Sequence, residues 1–130
     1  MTRLVNLFNG LILILLATAV AAHHGPFQYD LEVEVTYQGK VVEHKFKNPH
    51  SLTILEITTP ENETRLLSIH GDGPASLSSS GIRGNEIRAG DKVKVTVSPS
   101  IDDPDHAALG HELVKEDGTI VPLSRGRVRD

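Results

Sequence analysis

Apolar and polar residues alternate at every step of LEVEVTY, residues 31–37, the period of a strand with one buried face. Gly39 interrupts the run, and KVVEHKF carries the extended pattern on to Phe46. A long first strand bent at a glycine is what a barrel corner requires. In SLTILEITT, residues 51–59, Leu52 and Ile54 fall on one face and Leu55 and Ile57 on the other, the pattern of a central strand. After the turn PENE comes another short strand, TRLLSIH, residues 64–70. Pro74 opens and Gly81 closes a short serine-rich helix. A Gly90-Asp91 turn precedes Val93, Val95 and Val97, which alternate with Lys92, Lys94 and Thr96 in the clearest strand of the chain. Residues 106–123 supply two final strands joined at Asp117-Gly118, a two-residue hairpin signal.

No repeat, heptad or strand-helix-strand alternation interrupts this order. The pattern predicts an all-β fold with one short helix: a small antiparallel barrel, closed or partly open, of five to six strands and resembling the OB-fold. A sheet this small avoids open edges best by closing on itself; a small open sandwich is the alternative. Residues 31–123 make up this domain. Residues 22–30 form an N-terminal segment, and SRGRVRD, residues 124–130, with three arginines and almost no apolar content, is expected to be a mobile basic tail.

The first 21 residues read differently. One cation, Arg3, precedes an apolar block that ends in small side chains, AVAA, before His23 and His24. This is the layout of a secretory signal peptide. A spanning helix needs about 20 apolar residues, and Asn6, Asn9 and Gly10 cut this block short. Cleavage is expected after Ala21 or Ala22, and either cut leaves the histidine pair at the new N-terminus. The processed chain is then expected in the periplasm or secreted, with no stable membrane anchor, as a monomer. The chain contains no cysteine, so disulfides, thiolate metal sites and thiol nucleophiles are excluded.

With 13 basic and 17 acidic residues the chain carries a net charge of −4. Removal of Arg3 with the leader makes it more acidic still, and that sign repels phosphate backbones. Single-strand binding on an OB-like barrel also needs several stacking aromatics, whereas residues 22–130 offer only Phe27, Tyr29, Tyr37 and Phe46. No nucleic-acid partner is expected. Catalytic motifs fail as well. HELVK, residues 111–115, has Lys115 where a zinc protease carries its second histidine. SLSSSG has no nucleophile elbow and GDGPAS no phosphate-holding lysine. Pro104 interrupts Asp102, Asp103 and Asp105, and no calcium loop is completed. With no nucleophile-base pair to place, an enzyme is not expected.

Chemistry therefore rests on the histidines. His44, His70 and His106 read as solvated or core-edge residues. His111, sharing a face with Leu109 and Leu113, reads as a half-buried, hydrogen-bonded imidazole. His50 follows Asn48 and Pro49 in KNPHS, a turn that presents its ring from a defined loop between strands. His23, His24 and His50 are the candidate metal ligands. A chain starting at Ala22 offers its amine, two amide nitrogens and the His24 imidazole as a square-planar set, the geometry Cu(II) prefers.

Three stretches taken together, AHHGPF, VVEHKFKNPHSLTILEI and GIRGNEIRAGDKVKVTVSPSIDD, resemble family 6152 of the domains of unknown function, a group of small exported bacterial proteins. The most specific pieces are the His23-His24 pair and Asn48-Pro49-His50. The family usually carries a tryptophan near the Asn-Pro-His turn, and this chain has none. The resemblance implies an exported barrel and points to the same histidines; it implies no reaction and no substrate. Two functions compete. One is a periplasmic binding module that holds a transition metal such as Cu(II) through its N-terminal histidines. The other is a non-catalytic structural or protein-interaction module of the cell envelope, whose histidines are incidental.

Overall fold

The computed structural model describes residues 28–125. Six strands follow in chain order: β1 (Val35–Lys45), β2 (His50–Thr58), β3 (Thr64–Asp72), β4 (Lys92–Pro99), β5 (Ala107–Lys115) and β6 (Ile120–Pro122). Between β3 and β4 lies a helical turn, α1 (Pro74–Leu77), continued by a 3-10 turn at Ser78–Ser80. The sheet order is β3-β2-β1-β4-β5-β6, and β3 also pairs with β5. That last pairing is parallel, Ser68–His70 against Ala107–Leu109, and it closes the first five strands into a barrel with the short helix between its third and fourth strands. The closed OB-like barrel is the expected fold, with β6 added along the second half of β5.

Gly39 does what the pattern required. Residues 35–40 of β1 pair with β4, and β1 pairs with β2 from Gly39 onward. A Cβ on Gly39 would stand 2.3 Å from the Glu56 carbonyl oxygen. Only a residue without a side chain lets β1 pass so close while changing neighbours. Inside the ring the core is aliphatic: Val41, Leu55, Leu67, Ile69, Val95, Val97 and Leu113 are fully buried. Their area removed from water is the main force holding so small a barrel together.

Two boundaries differ from the sequence pattern. LEVEVTY is not strand throughout, because β1 starts only at Val35. Asp30 accepts the Glu32 N–H on its carboxylate at 3.2 Å and the Val33 N–H on its carbonyl at 3.2 Å. This local turn competes with the ladder and leaves Leu31 and Val33 exposed. His50 is the first residue of β2, not a loop residue, since it is already in register with Asp72.

The ends of the described chain are attached to the barrel. Asp30 donates its N–H to Pro99, and Ile101 donates to Gln28 at 2.8 Å. Ser124 donates to the Gly110 carbonyl at 2.6 Å and the Arg125 N–H to Asp72 Oδ2 at 2.6 Å. The rest of the basic tail, like His23 and His24, lies outside the described residues.

Candidate functional site

The loop before β2 is built by contacts with the helix. The Asn48–Pro49 bond is cis. Asn48 Oδ1 accepts the Ala75 N–H at 3.0 Å, satisfying a free donor at the start of α1 that Gly73, lacking a side chain, does not cap. Gly73 comes so near that a Cβ there would lie 2.5 Å from the Pro49 carbonyl oxygen. His50 thus leaves a loop clamped against α1 and enters β2 with its side chain on the outer face, since Ser51, Thr53 and Leu55 occupy the buried positions.

On β3 the buried positions are Leu67, Ile69 and Gly71, so His70 faces outward too. His50 is opposite Asp72 and His70 opposite Leu52, which makes the two histidines diagonal neighbours on one face. Loss of solvent lowers the pKa of His70, and the charge on His50 lowers it further. Tyr29, bridged to Ser100, lays its ring against His70 with centroids 6.3 Å apart and planes tilted by 48°. Partial burial in turn raises the pKa of the Tyr29 hydroxyl. One outer corner of the barrel therefore gathers Tyr29, His50 and His70. His70 reads from the sequence as a solvated or core-edge residue. The signal that finds it is the shared period of two, which sets His50 and His70 on the same side once β2 and β3 are paired in register.

The remaining histidines are occupied elsewhere. His44 Nδ1 is 2.9 Å from Thr53 Oγ1, and its ring stacks on Phe46 at 6.3 Å. Burial lowers its pKa, while nearby Glu86 acts in the opposite direction. Glu86 itself is raised by burial but more than offset by N–H groups of Arg83 and Gly84, so it stays below the ordinary carboxylate range. His106 Nδ1 contacts Asp103 at 2.9 Å in the exposed loop before β5. His111 is more buried than expected, at 6% exposure. The ladder shifts there, with Thr96 facing Glu112 and Val97 facing Gly110, so His111 is the extra residue of a bulge. At that bulge the alternation fails, and Gly110 and His111 are buried in succession.

His111 Nε2 lies 2.9 Å from Ser98 Oγ. The pair has the spacing of a nucleophile and its base, but Ser98 is wholly buried and no substrate reaches it. An open depression of about 780 Å³ on the outer surface is lined by Lys40, Lys92, Lys94, Lys115, Glu56 and Glu116 among others. Lys40 pairs with Glu56 at 3.1 Å and Lys115 with Asp91 at 3.0 Å, the behaviour of a solvated charged face. Among the described residues no group of three His, Asp or Glu side chains is placed to hold a metal ion, and no helix is long and apolar enough to cross a membrane.

Neither curated proteins nor solved structures provide a match to this chain. A family model does match, over residues 11–108, a span that takes in the histidine pair, the Asn48-Pro49-His50 turn and the strands from β1 to the start of β5. The protein belongs to DUF6152, a family of unknown function.

Proposed function

We propose that the processed protein is an exported, periplasmic binding module that holds a transition metal such as Cu(II) through its N-terminal histidines, His23 and His24, with His50 as the contribution of the barrel. The observation that carries this reading is the attachment of residues 28–30 to the barrel beside His70 and His50. Gln28 and Asp30 are hydrogen-bonded to the segment around Ser100, and Tyr29 rests on His70, one diagonal step from His50. Three residues lie between His24 and Gln28, and the four chain steps that join them span at most about 14 Å.

Two arrangements of donors follow from the two cleavage positions. A chain starting at Ala22 closes a square-planar set from its amine, two deprotonated amides and the His24 ring. A chain starting at His23 chelates through its own amine and ring, and a further imidazole, His24 or His50, completes the site. Copper titration of the processed protein tests the reading beside His24→Ala and a form extended by one N-terminal glycine. Weaker binding by either altered form supports the doublet as the site, and equal binding by all three removes it.

A second reading, a protein-interaction module of the cell envelope, is favoured by large apolar side chains left on the surface. Leu66 and Ile101 are 51% and 61% exposed. It takes over if the processed protein binds no metal.

A further inference from the structure

The outer corner has a feature that neither cleavage arrangement requires. His50 and His70 stand on adjacent antiparallel strands, in diagonal register and on the same face. Diagonal partners in such a pair lie about 7–8 Å apart at Cα and less at Cβ. Imidazole nitrogens bind a divalent transition ion at about 2.0–2.1 Å, so two rings leaning toward each other from these positions can share one ion. The loop that leads into His50 is anchored by Asn48 on Ala75, and the His70 ring lies against Tyr29. The electrostatic influence of His50 on His70 reflects the same closeness. Asp72, directly opposite His50, has its Oδ2 engaged by the Ser76 hydroxyl and the Arg125 N–H. The pair therefore presents two nitrogen donors and leaves further positions of an ion open.

We infer that His50 and His70 form a two-imidazole site on the outer face of β2 and β3 for an imidazole-preferring divalent transition ion, of which Cu(II) is the best fit. The inference rests on the transition-metal reading but not on the doublet as its site. Imidazole suits copper, nickel and zinc, and copper takes the leading place in affinity among them. Two donors and open coordination positions suit an ion that is passed on, with water filling the remainder. His70 acquires a role that its sequence context does not suggest.

The experiment is a Cu(II) titration of the processed protein, followed by tyrosine fluorescence, since the chain has no tryptophan and two tyrosines. The variants are His50→Ala, His70→Ala, His24→Ala, Tyr29→Phe and, as a control, His106→Ala, whose ring lies in the loop before β5. Thermal unfolding without metal verifies that each variant is folded. The expected result is a tenfold or greater loss of affinity in both His50→Ala and His70→Ala, unchanged binding by His106→Ala, and loss of most of the quenching in Tyr29→Phe with affinity retained. Wild-type affinity in folded His50→Ala and His70→Ala proteins overturns the inference. The failures separate: loss in His24→Ala alone sustains the doublet and removes this pair, whereas loss in His50→Ala and His70→Ala with His24→Ala intact does the reverse. Loss in all three variants supports an ion shared between the two.

Discussion

The side-chain oxygen of Asn48 accepts the backbone N–H of Ala75 at 3.0 Å, joining the loop before β2 to the first turn of the helix across 27 residues of chain. It serves as a capping bond supplied from a distance, because the residue at the cap position, Gly73, has no side chain to give. Replacing a capping side chain by alanine typically costs about 1 kcal/mol. Asn48→Ala is expected to lower the urea midpoint accordingly with the slope unchanged. An unaltered midpoint would show that the bond contributes nothing to holding the loop.

Gly39→Ala is expected to be more damaging. The new methyl group would meet the Glu56 carbonyl oxygen at 2.3 Å and Leu55 Cγ at 3.0 Å, and neither can withdraw without disturbing the β1–β2 ladder that begins there. Overpacking of this kind costs about 1–3 kcal/mol. Thermal unfolding of the variant reads the loss directly. A variant as stable as the parent would mean that β1 has room to bend elsewhere.

Alternating side chains were enough to locate the barrel, because a period of two exposes its buried face wherever one face of a strand meets a core. Val93, Val95 and Val97 are buried, Lys92 and Lys94 exposed and Thr96 half-buried, as their spacing requires. The same alternation misleads at Leu31 and Val33, where a turn made by Asp30 removes the ladder and with it the buried face. His111 is hydrogen-bonded as expected but more deeply buried, because a one-residue bulge there breaks the alternation, and nothing in HELVK announces it. His50 was recognisable from its turn. His70 was not, because its partners, Tyr29 and His50, reach it only through strand register. The His23-His24 pair is legible in the sequence alone and lies outside the described residues.

An OB-like barrel raises the question of single-stranded nucleic acid, and the outer face of β2 and β3 speaks against it. It presents His50, Leu52, Ile54 and Glu56 on one strand and Leu66, Ser68 and His70 on the other. No aromatic ring other than imidazole arises from those positions, whereas base stacking supplies about 1–3 kcal/mol per base in such sites. With a chain charge of −4, a labelled oligonucleotide at low salt is expected to remain unbound at micromolar protein. A shift that disappears as salt is raised would overturn this.

Stability is expected to fall on mild acidification through His44. Its folded-state pKa lies below the ordinary value, chiefly because burial disfavours the imidazolium and despite the opposing charge of Glu86. The unfolded chain therefore binds a proton there at a higher pH than the folded one. Where the unfolded state binds more protons, stability rises with pH, so this contribution is complete above the unfolded value of about 6.5. It is lost as the pH falls from there toward the folded value. His70, lowered first by loss of solvent and then by His50, adds a slope of the same sign. Glu86 and Asp91, held below the carboxylate range by N–H and lysine partners in spite of burial, act in a more acidic window and do not confuse the measurement. His44→Gln keeps a group able to bond Thr53 and removes the titration. Urea unfolding of the metal-free protein at pH 7.0 and at pH 5.5, values chosen to bracket the histidine window of about 6.5, should show a smaller loss in His44→Gln than in the parent. Equal losses in the two proteins would mean that burial does not hold the His44 ring neutral.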